Sequence, residues 1–90
     1  MKRAHIIVKG FVHGVLFRWN TKNIALELGL KGFVRNLPDG SVEVVAEGSE
    51  EKIKNLIEFC KTGPRAAKVE NVEIKFEKPK NEFGGFEIRY

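Results

Sequence analysis

The chain reads as a mixed α/β (α+β) protein with a ferredoxin-like βαββαβ sandwich: one antiparallel sheet, two helices on one face, and a short C-terminal strand. Three observations carry this expectation. Apolar and polar residues alternate over Ala4–Val12, Ser41–Glu47 and Val69–Glu77, the period of a strand with one buried face. Between these stretches, apolar residues recur three and four apart from Phe17 or Arg18 to Leu28, and again over Ile53–Cys60, as on a helix with one apolar side. The 90 residues, 42% hydrophobic and 31% charged, suit one domain spanning the whole chain (1–90) with a single two-layered core.

The first strand puts Ala4, Ile6, Val8, Gly10 and Val12 on one face and His5, Ile7, Lys9 and Phe11 on the other, apolar enough for the middle of a sheet. A loop containing Gly14 leads into the first helix, whose Ile24, Ala25 and Leu28 share a side and which Gly29 ends. Lys31–Leu37 and Ser41–Glu47 form a hairpin around Leu37-Pro38-Asp39-Gly40, where proline presets φ and aspartate and glycine complete the turn. In the second arm Val42, Val44 and Ala46 point one way, and Ser41, Glu43 and Glu47 the other. Ser49 caps the second helix, Glu50 and Glu51 suit its positive end, and Gly63-Pro64 stops it. Val69–Glu77 is expected to bury Val72, Ile74 and Phe76. Lys78–Gly85 is a loop, and Phe86–Tyr90 a final strand with Phe86, Ile88 and Tyr90 on one face. Phe11, Phe17 and Phe33 are expected in the core.

A net charge of +4 and a pI near 9.4 suit an anionic partner, either a small phosphate compound or nucleic acid. Abundant Lys and Glu, no Gln, and single Cys and Met residues lean toward a thermophile-like composition. Cys60 is the only cysteine, so no internal disulfide forms, and its place on the apolar helix face reads as a buried structural thiol. With only His5, His13 and Asp39 of their types, no metal and no cofactor are expected. No apolar run reaches membrane-spanning length and the first residues lack a signal-peptide pattern, so a cytoplasmic protein without membrane contact is expected.

Val8–Arg18, VKGFVHGVLFR, carries the chemistry. It is a glycine-punctuated loop between a strand and a helix, ending in arginine. Backbone N–H groups at a helix start are unsatisfied and lie at the positive end of its dipole, which makes them an anion site. Gly10 and Gly14 leave room for the backbone to curl its amides inward. Arg18 adds a planar fork that matches two phosphate oxygens. In this topology the first and second strands run parallel with the third between them, so both end on one edge of the sheet. Arg18 and Asn36 then stand about 10 Å apart in backbone terms, two strand spacings.

These residues resemble the acylphosphatase family. Its first signature, xGxVQGVxFR after an apolar residue, is met by Val8 through Arg18, and its second by Gly32-Phe33-Val34-Arg35-Asn36, Gly40-Ser41-Val42 and Gly48. The resemblance implies hydrolysis of the carboxyl-phosphate bond of a small-molecule acyl phosphate, with inorganic phosphate as product and inhibitor. It implies that Arg18 and the amides of His13, Gly14, Val15, Leu16, Phe17 and Arg18 bind the phosphoryl group, and that Asn36 positions the attacking water. His13 stands where the family usually has glutamine; the position acts either through its backbone N–H, which makes the change mild and is the expected case, or through a side chain that braces the loop. The Tyr90 carboxylate is a candidate to orient Arg18. Trp19 either lines the site or covers the first helix.

The rival reading is a single-stranded RNA-binding module of the RRM type, which shares the element order. Its aromatic signature belongs on the third strand. Here Ser41–Glu47 holds no aromatic residue and two glutamates, so nucleic acid is not the expected partner.

Overall fold

A computed structural model describes all residues from Met1 to Tyr90. The elements are β1 (Lys2–Phe11), α1 (Phe17–Glu27), β2 (Lys31–Asn36), β3 (Val42–Gly48), α2 (Glu50–Thr62), β4 (Lys68–Glu77) and β5 (Phe86–Arg89). The sheet order is β4-β1-β3-β2-β5. β1 pairs antiparallel with β3 and β4, and β2 antiparallel with β3, so β1 and β2 point the same way with β3 between them.

β5 makes the sheet mixed, because it joins β2 in parallel. The reason is directional. β4 runs opposite to β1 and β2, so the chain leaves β4 at the end of the sheet where those strands begin. Residues 78–85 cross to the far edge at that same end, and the next strand can only run alongside β2. β1, β2 and β5 therefore all finish on one edge.

One face of the sheet and both helices close a common core. Ala4, Ile6 and Val8 of β1 meet Ala46, Val44 and Val42 of β3, and all six are fully buried. Phe17 and Ala25 of α1 and Ile53, Leu56, Ile57 and Cys60 of α2 complete it. Ser49 caps α2 by accepting the Lys52 N–H at 3.3 Å, and burial pushes the Cys60 thiol up to about 12, so it stays protonated and inert.

The expectation for β4 needs correction. Ile74 and Phe76 face the helical side, opposite Ile6 and Ala4, yet they are 39% and 47% exposed. The alternation has the right phase, but β4 is an edge strand with no neighbour beyond it. Phe11 is likewise outside the core, 64% exposed at the end of β1.

The other sheet face is covered at one end by the 78–85 segment. Arg3 pairs with Glu47 at 3.1 Å and Glu82 at 2.9 Å, and Glu47 also accepts the N–H groups of Lys80 and Asn81 at 2.8 and 3.2 Å. Burial alone would raise the Glu47 pKa, but these donors outweigh it and hold the carboxyl below its ordinary 4.5. A folded-state pKa below the unfolded one gives stability that is present above the unfolded value and is lost as pH falls through the folded one. Glu47→Gln is therefore expected to lower stability by about 1.5–3 kcal/mol at pH 7. Urea unfolding should show the gap between the two proteins closing below about pH 4. A gap that is the same at pH 7 and pH 3 would remove the charge from this account.

Candidate active site

Past β1 the chain buries Val12 and then turns through two left-handed residues, Gly14 at φ 70° and Leu16 at φ 63°, before α1 begins. Glycine adopts that conformation freely, whereas leucine is strained there. Leu16 is the residue before the helix and offers no side-chain cap, and the first turn of α1 contains no acidic residue. None of the backbone bonds in loops, turns and caps is donated by a residue of 13–18. Six consecutive residues thus keep their N–H groups uncommitted at the positive end of a helix, a disposition suited to an anion. Gly10 has a different place from the one expected. It sits in β1 at φ 133°, opposite a bulge of β4 that leaves Glu70 out of the pairing, and a Cβ there would run into the Lys68 carbonyl.

Arg18 is half-buried and makes neither an ion pair nor a hydrogen bond with any group of the protein. Its guanidinium carbon lies 4.9 Å from the centre of the Tyr90 ring. Tyr90 thus meets Arg18 through its ring, and its carboxylate forms no ion pair. The parallel course of β5 brings that ring to this edge, which strand periodicity could not reveal.

His13 does more than present a backbone N–H. Its Nε2 is 2.7 Å from the Ser41 carbonyl oxygen. A carbonyl only accepts, so Nε2 carries the hydrogen and donates. The same Ser41 oxygen accepts the Leu37 N–H at 2.9 Å, and Asp39 Oδ1 accepts from the Ser41 N–H at 2.9 Å. The imidazole therefore ties the 13–18 loop to the β2–β3 turn.

Asn36 is the last residue of β2, opposite the buried Val42 and on the helical side of the strand. Its Oδ1 is buried without a hydrogen-bond partner, an acceptor the fold leaves open. Beside Arg18 lies a cleft of about 270 Å³ lined by Gly14, Leu16, Phe17, Arg18, Trp19 and Tyr90, among others. Val15 packs against the core instead, and neither His13 nor Asn36 contributes to the cleft wall. Trp19, for which the sequence allows either place, lines the cleft.

The family model for Acylphosphatase matches residues 4–88. The chain belongs to the acylphosphatase family. It is 52% identical to the acylphosphatase of Aeropyrum pernix over 89 residues, which cover 98% of this chain and 88% of that one. The crystal structure of acylphosphatase from Bacillus subtilis superposes with a TM-score of 0.95 at 34% identity, covering 100% of both chains. The structure of an acylphosphatase from Coxiella burnetii gives a TM-score of 0.92 at 38% identity, covering 98% of this chain and 92% of that one.

The acylphosphatase likeness makes the chain an acyl phosphate hydrolase and leaves the RNA-binding reading without favour. The sheet's open face agrees physically. Glu43 pairs there with His5 and Arg35, and Phe83 from the 78–85 segment packs edge-on to Phe33 at 5.9 Å, so no free aromatic platform is offered. No helix is long and apolar enough to cross a membrane.

Proposed function

We propose that this acylphosphatase-family enzyme holds the phosphoryl group of its substrate on the amides of residues 13–18 and the Arg18 guanidinium, while Asn36 positions the attacking water. The observation that carries this reading is the run of uncommitted N–H groups beside an arginine with no partner of its own. Uncapped amides at a helix start, beside a guanidinium free of a counter-ion, offer donors that match the oxygens of a phosphoryl group. A carboxyl phosphate is already activated, since its leaving group is a weakly basic carboxylate. Phosphoryl transfer then demands placement and neutralisation of oxygens more than acid assistance. Amides and guanidinium draw charge from the equatorial oxygens, and the open Oδ1 of Asn36 accepts one O–H of the water. Asparagine is no base near neutrality, so the water's proton passes to a phosphoryl oxygen of the substrate.

The reaction needs no metal ion in this scheme, and nowhere do three His, Cys, Asp or Glu side chains converge to hold one.

Hydrolysis of benzoyl phosphate in EDTA tests the reading, with inorganic phosphate as competitor. Full activity in EDTA and competitive inhibition are expected. At a hundredfold excess over its dissociation constant, phosphate should stabilise the fold by about 2.7 kcal/mol. That corresponds to a rise in Tm of about ten to twenty degrees. Activity lost in EDTA and restored by a divalent ion would overturn the metal-free scheme. A Tm indifferent to phosphate at matched ionic strength would remove the cradle.

A further inference from the structure

Next to the phosphoryl cradle the cleft is apolar and open. Arg18 is the only charged side chain in its lining, and Leu16, Trp19 and Ile88 are set around it with the Tyr90 ring. Leu16 is 68% exposed and Trp19 56% exposed, although both are large and apolar. Scattered exposed apolar residues mean little, but these converge on one concavity beside the reacting group. Leu16 adds a separate observation. It occupies a left-handed conformation that glycine would take without strain, yet it carries a full side chain that points away from the core.

We propose that Leu16, Trp19 and Tyr90 form an acyl subsite that selects acyl phosphates with an apolar acyl group of several carbons. This rests on the placement of the phosphoryl group at residues 13–18 argued above. The cleft's volume of about 270 Å³ exceeds the roughly 150 Å³ of an apolar cavity that accommodates a benzene ring. With Arg18 engaged by the phosphoryl oxygens, no other cation lines the cleft to meet a carboxylate at the far end of the acyl group. Apolar walls instead draw a hydrocarbon chain out of water, up to about fourfold in affinity per fully buried methylene.

Alkylphosphonates test this directly, because they keep an anionic phosphorus head, extend a hydrocarbon chain and are not hydrolysed. Inhibition of benzoyl phosphate hydrolysis is measured from methylphosphonate to hexylphosphonate. About half-burial of the chain predicts roughly twofold tighter inhibition per methylene, so about thirtyfold over five methylenes. Trp19 is the only tryptophan, so its emission reports the subsite without any assay of turnover. Hexylphosphonate should shift that emission, and methylphosphonate should not. Trp19→Ala should flatten the chain-length slope, and Trp19→Phe should restore most of it. Competition by every phosphonate with equal affinity, and no selective shift of the emission, would overturn the acyl subsite alone. Failure of all of them to compete would instead overturn the phosphoryl cradle on which it rests.

Discussion

Arg18→Gln lowers kcat/KM for benzoyl phosphate by about a hundredfold to a thousandfold and weakens competitive inhibition by phosphate in the same variant. The size follows from removing one preorganised charged donor from a group whose oxygens carry the developing charge. Both quantities fall together because the guanidinium meets the same oxygens before and during transfer. The fold has little to lose, since Arg18 has no ion pair or hydrogen bond to break and only stacks on Tyr90. Arg3 is the contrast: the same residue type, but buried among Glu47, Glu77 and Glu82, where its removal would strand carboxylates. Steady-state kinetics beside urea unfolding in phosphate-free buffer separates the two cases. A variant with normal stability and wild-type phosphate inhibition would take Arg18 out of the site.

The edge on which β1 and β2 both finish, with the 13–18 loop after one and Asn36 at the end of the other, was legible in the sequence because it depends on topology rather than on detail. A strand, a helix and a second strand parallel to the first put both strand ends on one side whatever the loops do. The faces of β1 and β3 were legible for a similar reason, each having a clean period of two and a central place in the sheet. Edge positions were harder to read. Ile74 has the right phase and remains exposed, because coverage is set by where α2 lies and not by β4 itself. The Tyr90 ring reaches Arg18 only because β5 runs parallel to β2, and that follows from the course of residues 78–85 across the sheet. Those residues look like a solvated connection, yet two of their amides and Glu82 complete the Arg3–Glu47 cluster. His13 differs again: its backbone role was readable from the loop pattern, whereas its side-chain tie to Ser41 required the hairpin's position in space.

Asn36→Ala separates chemistry from binding. Its kcat is expected to fall by about a hundredfold, the scale of losing the placement of one reactant, while phosphate inhibition stays within about twofold of wild type. The stability of the variant makes the assignment sharper. A residue kept for the fold should weaken the protein when truncated, as turn-forming asparagines do. Asn36 holds a buried oxygen without a partner, so its removal relieves an unsatisfied acceptor. The alanine variant is therefore expected to be as stable as wild type, or more stable by up to about 1 kcal/mol. Lower kcat with equal or greater stability is the signature of a group retained for reaction at the expense of the fold. Full kcat with reduced stability would make Asn36 a hairpin residue and return the water to some other group. Loss of phosphate inhibition along with kcat would move Asn36 into the cradle itself, among the groups that hold the phosphoryl oxygens.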